Sequence, residues 1–218
     1  MTARIGLIHA VVPAIGAVET AFRNIWPEAQ PSSLYDQSLY LDLAPDRSLT
    51  PAIYQRIDAL VHYSVRSGAD AVLVTGSLFG PAVRQAAATH SIPVLTSFDA
   101  MIAEALALGA HFTMLATSAG TNALLRDELA EAGKAAGKSL KLEDAFVPEA
   151  MDLVQRGDRA GHDRLVLDAA GKLGDCDAIL LGQFSMAPVR PHIEERTGIR
   201  TLDPAEAAVR KLKCLFAS

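Results

Sequence analysis

The sequence predicts an α/β protein built from two similar lobes, each with a parallel sheet. Apolar stretches typical of strands buried on both faces alternate with helical stretches, a pattern that indicates right-handed β-α-β crossovers. One strand-loop-helix stretch occurs twice, because residues 70–81 align without a gap with residues 177–188, which lie 107 positions further on. The duplication predicts two pseudo-symmetric three-layer lobes, with the active site between them.

The first copy is predicted to alternate strands and helices. Trp26-Pro27 ends its first helix, because the residue before a proline leaves the α region. Thr50 and Pro51 are a cap and a first-turn residue that start the next long helix. The polar stretch 32–40 is interpreted as a strand followed by an irregular loop. The predicted strands are 4–10, 32–40, 70–75 and 92–95, and the predicted helices are 15–25, 51–67, 80–89 and 98–108.

The second copy repeats this order. Its predicted strands are 111–116, 140–146, 178–182 and 199–202, and its predicted helices are 119–136, 148–156, 159–173, 187–196 and 204–215. The last helix corresponds to the helix at 98–108, and we expect it to pack back onto the first lobe. The predicted domains are therefore 1–98 together with 204–218, and 99–203.

Composition excludes several classes of protein. Half of the 218 residues are hydrophobic, which supports a folded core and argues against disorder. A net charge of −5 disfavours binding to nucleic acid or to an anionic membrane surface. The only cysteines are Cys176 and Cys214, as expected for a reduced compartment. With no visible leader and no apolar run long enough to span a membrane, we expect a cytoplasmic protein.

Known cofactor and nucleophile motifs do not occur in the sequence. The stretch after the first strand lacks the glycine pattern of dinucleotide sites, and no phosphate-binding P-loop occurs, which disfavours a nicotinamide oxidoreductase or an ATP enzyme. The six histidines and two cysteines have no metal-ligand spacing, so no metal site is predicted. The serine elbow of hydrolases is also missing.

Small hydrogen-bonding residues follow the predicted strands. Hydroxyls, amides and helix N-termini at such positions suit the binding of a small carboxylate or of an enolate oxygen. The candidates for substrate binding or catalysis at the strand ends are His9, Thr75, Gly76, Ser77, Thr117, Ser118, Thr121, Gln183 and Ser185, with Phe184 as part of an apolar wall.

Several candidates also have a plain structural alternative. Ser77, or Gln183 with Ser185, would simply cap a helix. His9 would be a buried histidine with satisfied hydrogen bonds, although it is the only strand-end side chain here that titrates near neutrality. Asp36 and Ser38 would cap a loop.

The sequence resembles the aspartate/glutamate/hydantoin racemase superfamily over nearly its whole length. The resemblance rests on the opening strand, the two strand-end loops and three further stretches: 36–43, Ala116-Thr-Ser118 and Asp203-Pro-Ala-Glu-Ala-Ala. It implies two α/β lobes around a site without cofactor, in which one cysteine from each strand-end loop moves the proton of an α-carbon. Arylmalonate decarboxylase, with one of these cysteines, and maleate isomerases belong to the same group. The resemblance further implies a small carboxylate or carbonyl substrate, contacts from Asp36, Ser38, Thr117 and Ser118, and a homo-oligomer.

The sequence departs from this pattern at both reactive positions. Gly76 stands where the resemblance implies the first cysteine, and Gln183 stands where it implies the second. Cys176 precedes its predicted strand and Cys214 lies in the last predicted helix, so neither takes over. The sequence predicts a non-thiol enzyme, an isomerase (racemase) or decarboxylase, in which Thr117, Ser118 and the amides after Gly76 hold the carboxylate. Ser77, Gln183 and Ser185 would stabilise the enolate, with His9 as proton carrier. The alternative is an inactive carboxylate-binding or regulatory protein on the same fold.

Overall fold

The computed structural model describes residues 2–46 and 48–217. They form two compact units: the chain up to Ala100 together with Ala208 onward, and Met101–Ala207. Two helices cross from one unit into the other along the chain, which is how the last residues return to the first unit. The limits at 98 and 204 drawn from the sequence stay a prediction.

The first unit contains a four-stranded parallel sheet with helices between the strands. Its strand order is β2-β1-β3-β4. The elements are β1 (Arg4–His9), α1 (Val12–Ile25), β2 (Gln30–Tyr35), α2 (Ser38–Leu41), α3 (Pro51–Arg66), β3 (Ala71–Val74), α4 (Gly80–Ala87), β4 (Val94–Leu95) and the start of α5 (Asp99–Leu108).

The second unit repeats the same topology. Its sheet has the order β6-β5-β7-β8, again all parallel. The elements are β5 (His111–Ala116), α6 (Ala119–Ala135), β6 (Lys141–Phe146), α7 (Pro148–Gln155), α8 (Arg159–Ala170), β7 (Ala178–Leu181), α9 (Arg190–Thr197), β8 (Thr201–Leu202) and the start of α10 (Pro204–Leu215). The prediction of two α/β repeats with parallel sheets is confirmed.

The repeat holds at the level of strand register. Ile5 pairs with Ala71 in the first sheet, and Phe112 pairs with Ala178 in the second, which keeps the sequence offset. In each unit an aspartate carboxylate accepts a hydrogen bond from the backbone at the start of the first strand. Asp70 accepts from the Arg4 N–H at 2.8 Å, and Asp177 accepts from the His111 N–H at 2.8 Å. These two backbone contacts are equivalent, so the duplication fixes where each central pair of strands begins.

The polar stretch after β1 differs from its prediction. The strand occupies Gln30–Tyr35, and Ser38–Leu41 form a short helix instead of an irregular loop. The Asp36 carboxylate accepts the Ser38 N–H at 2.9 Å, which turns the chain into this helix. Such a side-chain contact leaves no periodic signal in a polar sequence.

In each unit an apolar cluster packs between one face of the sheet and the crossover helices. In the first unit, Ile8 and Val72 pack against Ile57 of α3 and Val83 of α4. In the second, Leu115 and Ile179 pack against Val166 of α8. Strands β3 and β7 are buried throughout, which explains their continuous apolar runs.

Neither a membrane span nor a metal cluster is found in the part of the chain that the structure describes. No helix in residues 2–46 and 48–217 is long and apolar enough to cross a bilayer. Over the same residues, no group of three or more histidine, cysteine or acidic side chains is placed to hold a metal ion.

Candidate functional site

The carboxyl ends of β1 and β3 bring His9 and Thr75 together. His9 is fully buried, and its Nδ1 lies 3.0 Å from the Thr75 hydroxyl oxygen. Its Nε2 lies 3.3 Å from the Ser33 hydroxyl of β2. The Thr75 hydroxyl donates to the Ile8 carbonyl at 3.4 Å, so Nδ1–H donates to Thr75 and Nε2 accepts from Ser33. His9 is thus a neutral imidazole held between two hydroxyls.

Burial also sets the charge state of His9. Removal from water lowers the pKa of His9 from 6.5 to about 4, because the charged imidazolium loses its hydration. At neutral pH the ring is therefore uncharged. Its role as proton carrier stays a prediction, and the contacts with Thr75 and Ser33 are those of its structural alternative.

The loop after β3 has no room for a side chain at Gly76. A Cβ built there would lie 2.4 Å from Cδ2 of Phe79, whose ring is fully buried. Tyr40 packs edge-on against this ring, with the centroids 5.2 Å apart, and holds it in place. Ser77 is the first residue of a 3₁₀ turn, Ser77–Phe79, and the cap position belongs to Gly76. The capping role and the ligand role of Ser77 both stay predictions.

Asp36 and Ser38 are tied to one arginine. The Ser38 hydroxyl donates to Asp36, and Arg56 of α3 donates to the Ser38 hydroxyl at 2.7 Å. The same guanidinium pairs with Asp42 at 2.5 Å and lies 3.9 Å from Asp36. These contacts close the loop after β2, in agreement with the structural alternative for both residues, and substrate contacts by Asp36 and Ser38 stay a prediction.

In the second unit, Thr117 and Gln183 meet at the carboxyl ends of β5 and β7. The Gln183 side-chain oxygen accepts two hydrogen bonds from Thr117, one from its N–H at 2.8 Å and one from its hydroxyl at 3.0 Å. Gln183 occupies the cap position of the 3₁₀ turn Phe184–Val189, yet its side chain makes no capping bond. Its amide is directed to Thr117 instead, which removes helix capping as the explanation for this residue.

The two bonds from Thr117 fix the orientation of the Gln183 amide. Both are donated to Oε1, so this atom is the carbonyl oxygen and the Nε2H₂ group is presented as a donor on the opposite side. Gly182 allows the strand ends to approach, because a Cβ there would lie only 2.8 Å from the Ala116 Cβ. The arrangement is a held hydrogen-bond donor, the kind of group that stabilises a developing oxyanion.

The remaining candidates of the second unit follow Thr117 or Gln183 along the chain. Ser118 is the cap residue of α6, and its side chain makes no capping bond, so the hydroxyl is not used by its own helix. Thr121 in the first turn of α6 and Phe184 are both buried. The Ser185 carbonyl accepts a hydrogen bond from Arg159 of α8.

Neither cysteine belongs to a strand-end loop. Cys176 precedes β7, at the opposite end of that strand from Gln183, and its sulfur lies 3.4 Å from the Ala178 carbonyl oxygen. Cys214 is an exposed residue of α10.

Sequence reasoning missed the partners that hold the candidates. Ser33, Arg56 and Arg159 each contact a predicted residue, yet all three lie in polar stretches that carry no motif. The sequence also did not reveal that the Phe79 ring occupies the space beside Gly76. The only available signal was the glycine itself, since glycine is common where another group approaches the backbone closely.

Comparisons with solved structures identify the fold. An aspartate racemase homologue from Pyrococcus horikoshii matches with a TM-score of 0.72 at 16% identity, covering 100% of both chains. Arylmalonate decarboxylase matches with a TM-score of 0.71 at 20% identity, covering 99% of this chain and 93% of its own. Allantoin racemase from Klebsiella pneumoniae matches with a TM-score of 0.67 at 20% identity, covering 99% and 88%. At these identities the likeness shows the fold alone.

The family follows from the sequence itself. Among curated proteins, no sequence matches the chain significantly. The model of the Asp/Glu/Hydantoin racemase family matches residues 13–212, which is most of the chain and includes Thr75, Thr117 and Gln183. The chain therefore belongs to the Asp/Glu/hydantoin racemase family.

Proposed function

We propose that this protein is a cofactor-independent enzyme that acts at the carbon next to a carboxylate of a small acid, without a thiol. Membership of the racemase family makes an isomerase or a decarboxylase the expected kind of enzyme. The observation that carries the non-thiol part is the Gln183 amide, which Thr117 holds by two hydrogen bonds at the position where the family resemblance implies a cysteine.

In this proposal Gln183 stabilises the enolate rather than moving a proton. A glutamine amide does not titrate, but a held N–H donor lowers the energy of an oxyanion without reorganising at the moment of reaction. Losing one such donor typically costs about 10²–10³ in kcat. Ser185 and Ser77 are the further candidates for contacts with the enolate.

The substrate carboxylate is assigned to Ser118 and the first turn of α6. Helix N-termini attract anions through free N–H groups and the helix dipole. Thr117, first expected to bind the carboxylate directly, donates both its N–H and its hydroxyl to Gln183, so its contribution is to orient that amide. Backbone amides after Gly76 are the corresponding donors of the first unit.

Decarboxylation or one-sided isomerisation fits these residues better than two-base racemisation. In decarboxylation the bond between the α-carbon and the carboxyl carbon breaks, carbon dioxide leaves, and the electron pair stays on the enolate. The α-carbon then takes a proton, for which solvent is the proposed source and His9 the proposed carrier. The first step removes no α-proton, so it needs donors for the enolate and an apolar wall such as Phe184 rather than a pair of thiols.

The direct experiment is a turnover screen of the purified protein without added cofactor. Malonates, 3-oxo acids, amino acids and hydantoins would be incubated and followed by mass and by chiral chromatography. We expect loss of carbon dioxide or inversion of configuration for at least one class. If all classes remain unchanged, the enzymatic proposal fails.

The second candidate is a carboxylate-binding or regulatory protein on the same fold. Two observations favour it: His9 has a hydrogen-bonding partner at each ring nitrogen, and Phe79 fills the space at Gly76. Thermal-shift measurements with the same acids separate the candidates. Stabilisation by an acid that is never turned over supports the binding protein.

A further inference from the structure

A charged side chain donates a hydrogen bond to the backbone of the loop that carries Gln183. Arg159, at the start of α8, donates through Nη2 to the Ser185 carbonyl, two residues after Gln183. A backbone hydrogen bond spans this part of the loop, since the Met186 N–H donates to the Gln183 carbonyl at 3.0 Å. Arg159 therefore acts on the backbone that sets the position of Gln183.

Arg159 is itself anchored within α8. Its Nε lies 3.1 Å from Asp163 Oδ1, one helical turn later. The fully buried His162 contacts the same carboxylate, and its Nδ1 lies 2.7 Å from the same oxygen. A guanidinium bonded to a carboxylate and to a carbonyl has little rotational freedom, because its planar fork allows few geometries.

The first unit has no arginine at the corresponding position, since the offset of 107 matches Arg159 with Ala52. The equivalent helix, α3, carries Arg56, which donates to Ser38 and Asp42 after β2. The two loops after the third strand of each unit also differ at their second residue, which is Gly76 in one and Gln183 in the other. The arginine contact to the loop thus accompanies the unit that presents an amide.

We propose that Arg159 is a positioning residue for Gln183, which it acts on through the Ser185 carbonyl while Asp163 holds its guanidinium. The proposal rests on the assignment of Gln183 as the enolate donor in the preceding section. A misplacement of about 1 Å in such a donor is enough to cost roughly 10²-fold in rate.

The test measures the Gln183 amide directly in the free protein. The Nε2H₂ resonances of Gln183 are assigned in a ¹⁵N spectrum by their loss in Gln183→Glu. We expect Arg159→Met to shift or broaden this pair and to speed its hydrogen exchange. Arg159→Lys, which keeps a cationic donor, should restore part of the wild-type signal, and Asp163→Asn should give a smaller change in the same direction.

Arg164 provides the matched control, because it is an exposed arginine on the same helix. Arg164→Met should leave the Gln183 resonances unchanged. The proposal is overturned if folded Arg159→Met keeps the wild-type signal, or if Arg164→Met perturbs it equally. Should Arg159→Met not fold, an unchanged signal in both Arg159→Lys and Asp163→Asn overturns it as well.

A kinetic readout separates this proposal from the proposed function. With an acid that the wild type converts, Arg159→Met should lower kcat about tenfold or more with little change in KM, because the donor acts in the transition state. A perturbed Gln183 signal without turnover of any acid contradicts the enzymatic proposal and leaves the positioning role standing. Turnover with an unperturbed signal contradicts the positioning role alone.

Discussion

At the scale of single residues, the two strand-end clusters place an ionisable group and a non-ionisable group in contrasting roles. His9 can titrate, but burial and two hydroxyl partners keep it neutral. Gln183 cannot titrate, but Thr117 fixes which of its amide atoms is the donor. The residue that can carry charge is thus enclosed, and the residue that cannot is oriented for hydrogen bonding.

The buried His9 predicts a specific pH dependence of stability. The unfolded chain binds a proton at His9 below its ordinary pKa of 6.5, whereas the folded protein does so only near pH 4. The free energy of unfolding should therefore fall as the pH drops from 6.5 to 4, by roughly 3 kcal/mol in total. Urea unfolding of the wild type and His9→Gln at pH 7 and pH 4.5 measures this, and the variant should lose less stability. Equal losses in both proteins contradict a depressed pKa.

Thr117 offers a test of how the Gln183 amide is held. Thr117→Val keeps the backbone N–H donor and the shape but removes the hydroxyl bond of 3.0 Å. We expect a loss of about 1 kcal/mol in the free energy of unfolding and a several-fold fall in kcat, because the amide gains freedom. Thr113→Val is the control, since its buried hydroxyl has no hydrogen-bond partner among the described residues. The account fails here if both variants lose kcat equally.

At the scale of elements, the loops after β3 and β7 show how one repeated segment diverged. In the first unit Phe79 turns back onto Gly76 and fills the space beside it. In the second unit the residues that correspond to Phe79 and Gly76 are Met186 and Gln183. There the Gln183 side chain extends to Thr117 instead. A side chain is sterically allowed in one loop and excluded in the other.

The close approach at Gly76 predicts a strong difference between two glycines. Gly76→Ala should lower the free energy of unfolding by about 1–3 kcal/mol, because its Cβ would overlap the Phe79 ring. Gly16→Ala, in α1 with nothing within 4 Å of its Cβ, should instead stabilise the protein by about 0.5–1 kcal/mol. Denaturant unfolding compares the two.

Phe79→Leu then tests whether the ring is the cause. In a protein that already carries Phe79→Leu, Gly76→Ala should lower the free energy of unfolding by less than it does in the wild type. A double-mutant cycle measures this coupling. Strict additivity of the two changes would contradict the steric explanation.

At the scale of the whole molecule, the duplication made most of the fold predictable. Because register repeats with the sequence offset, the apolar runs were enough to place β1, β3, β5 and β7. The edge strands β2 and β6 do not keep the offset of 107. Arg4 of β1 pairs with Gln30 of β2, whereas His111 of β5 pairs with Lys141 of β6. The helix between them is 14 residues in α1 and 17 in α6, so three of the four inserted residues lie in a helix, where periodicity hides them.

The candidate site was predictable in position but not in geometry. Parallel strands place their carboxyl ends at one edge of a sheet, so Thr75, Thr117 and Gln183 could be found by counting. Which atom of Gln183 faces Thr117, and which arginine holds its loop, depends on side chains 66 and 26 residues away in sequence. Contacts of that kind leave no local pattern.

In the proposed function a fixed Gln183 amide, and no thiol, supports the reaction. The most direct measurement is the initial rate of the converted acid with the cysteine-free variant Cys176→Ser/Cys214→Ser, assayed beside Gln183→Glu, which keeps the acceptor for Thr117 but loses the N–H donor. We predict a near wild-type rate for the cysteine-free protein and a fall of about 10² or more for Gln183→Glu. An inactive but folded cysteine-free protein, or a fully active Gln183→Glu, would contradict the account.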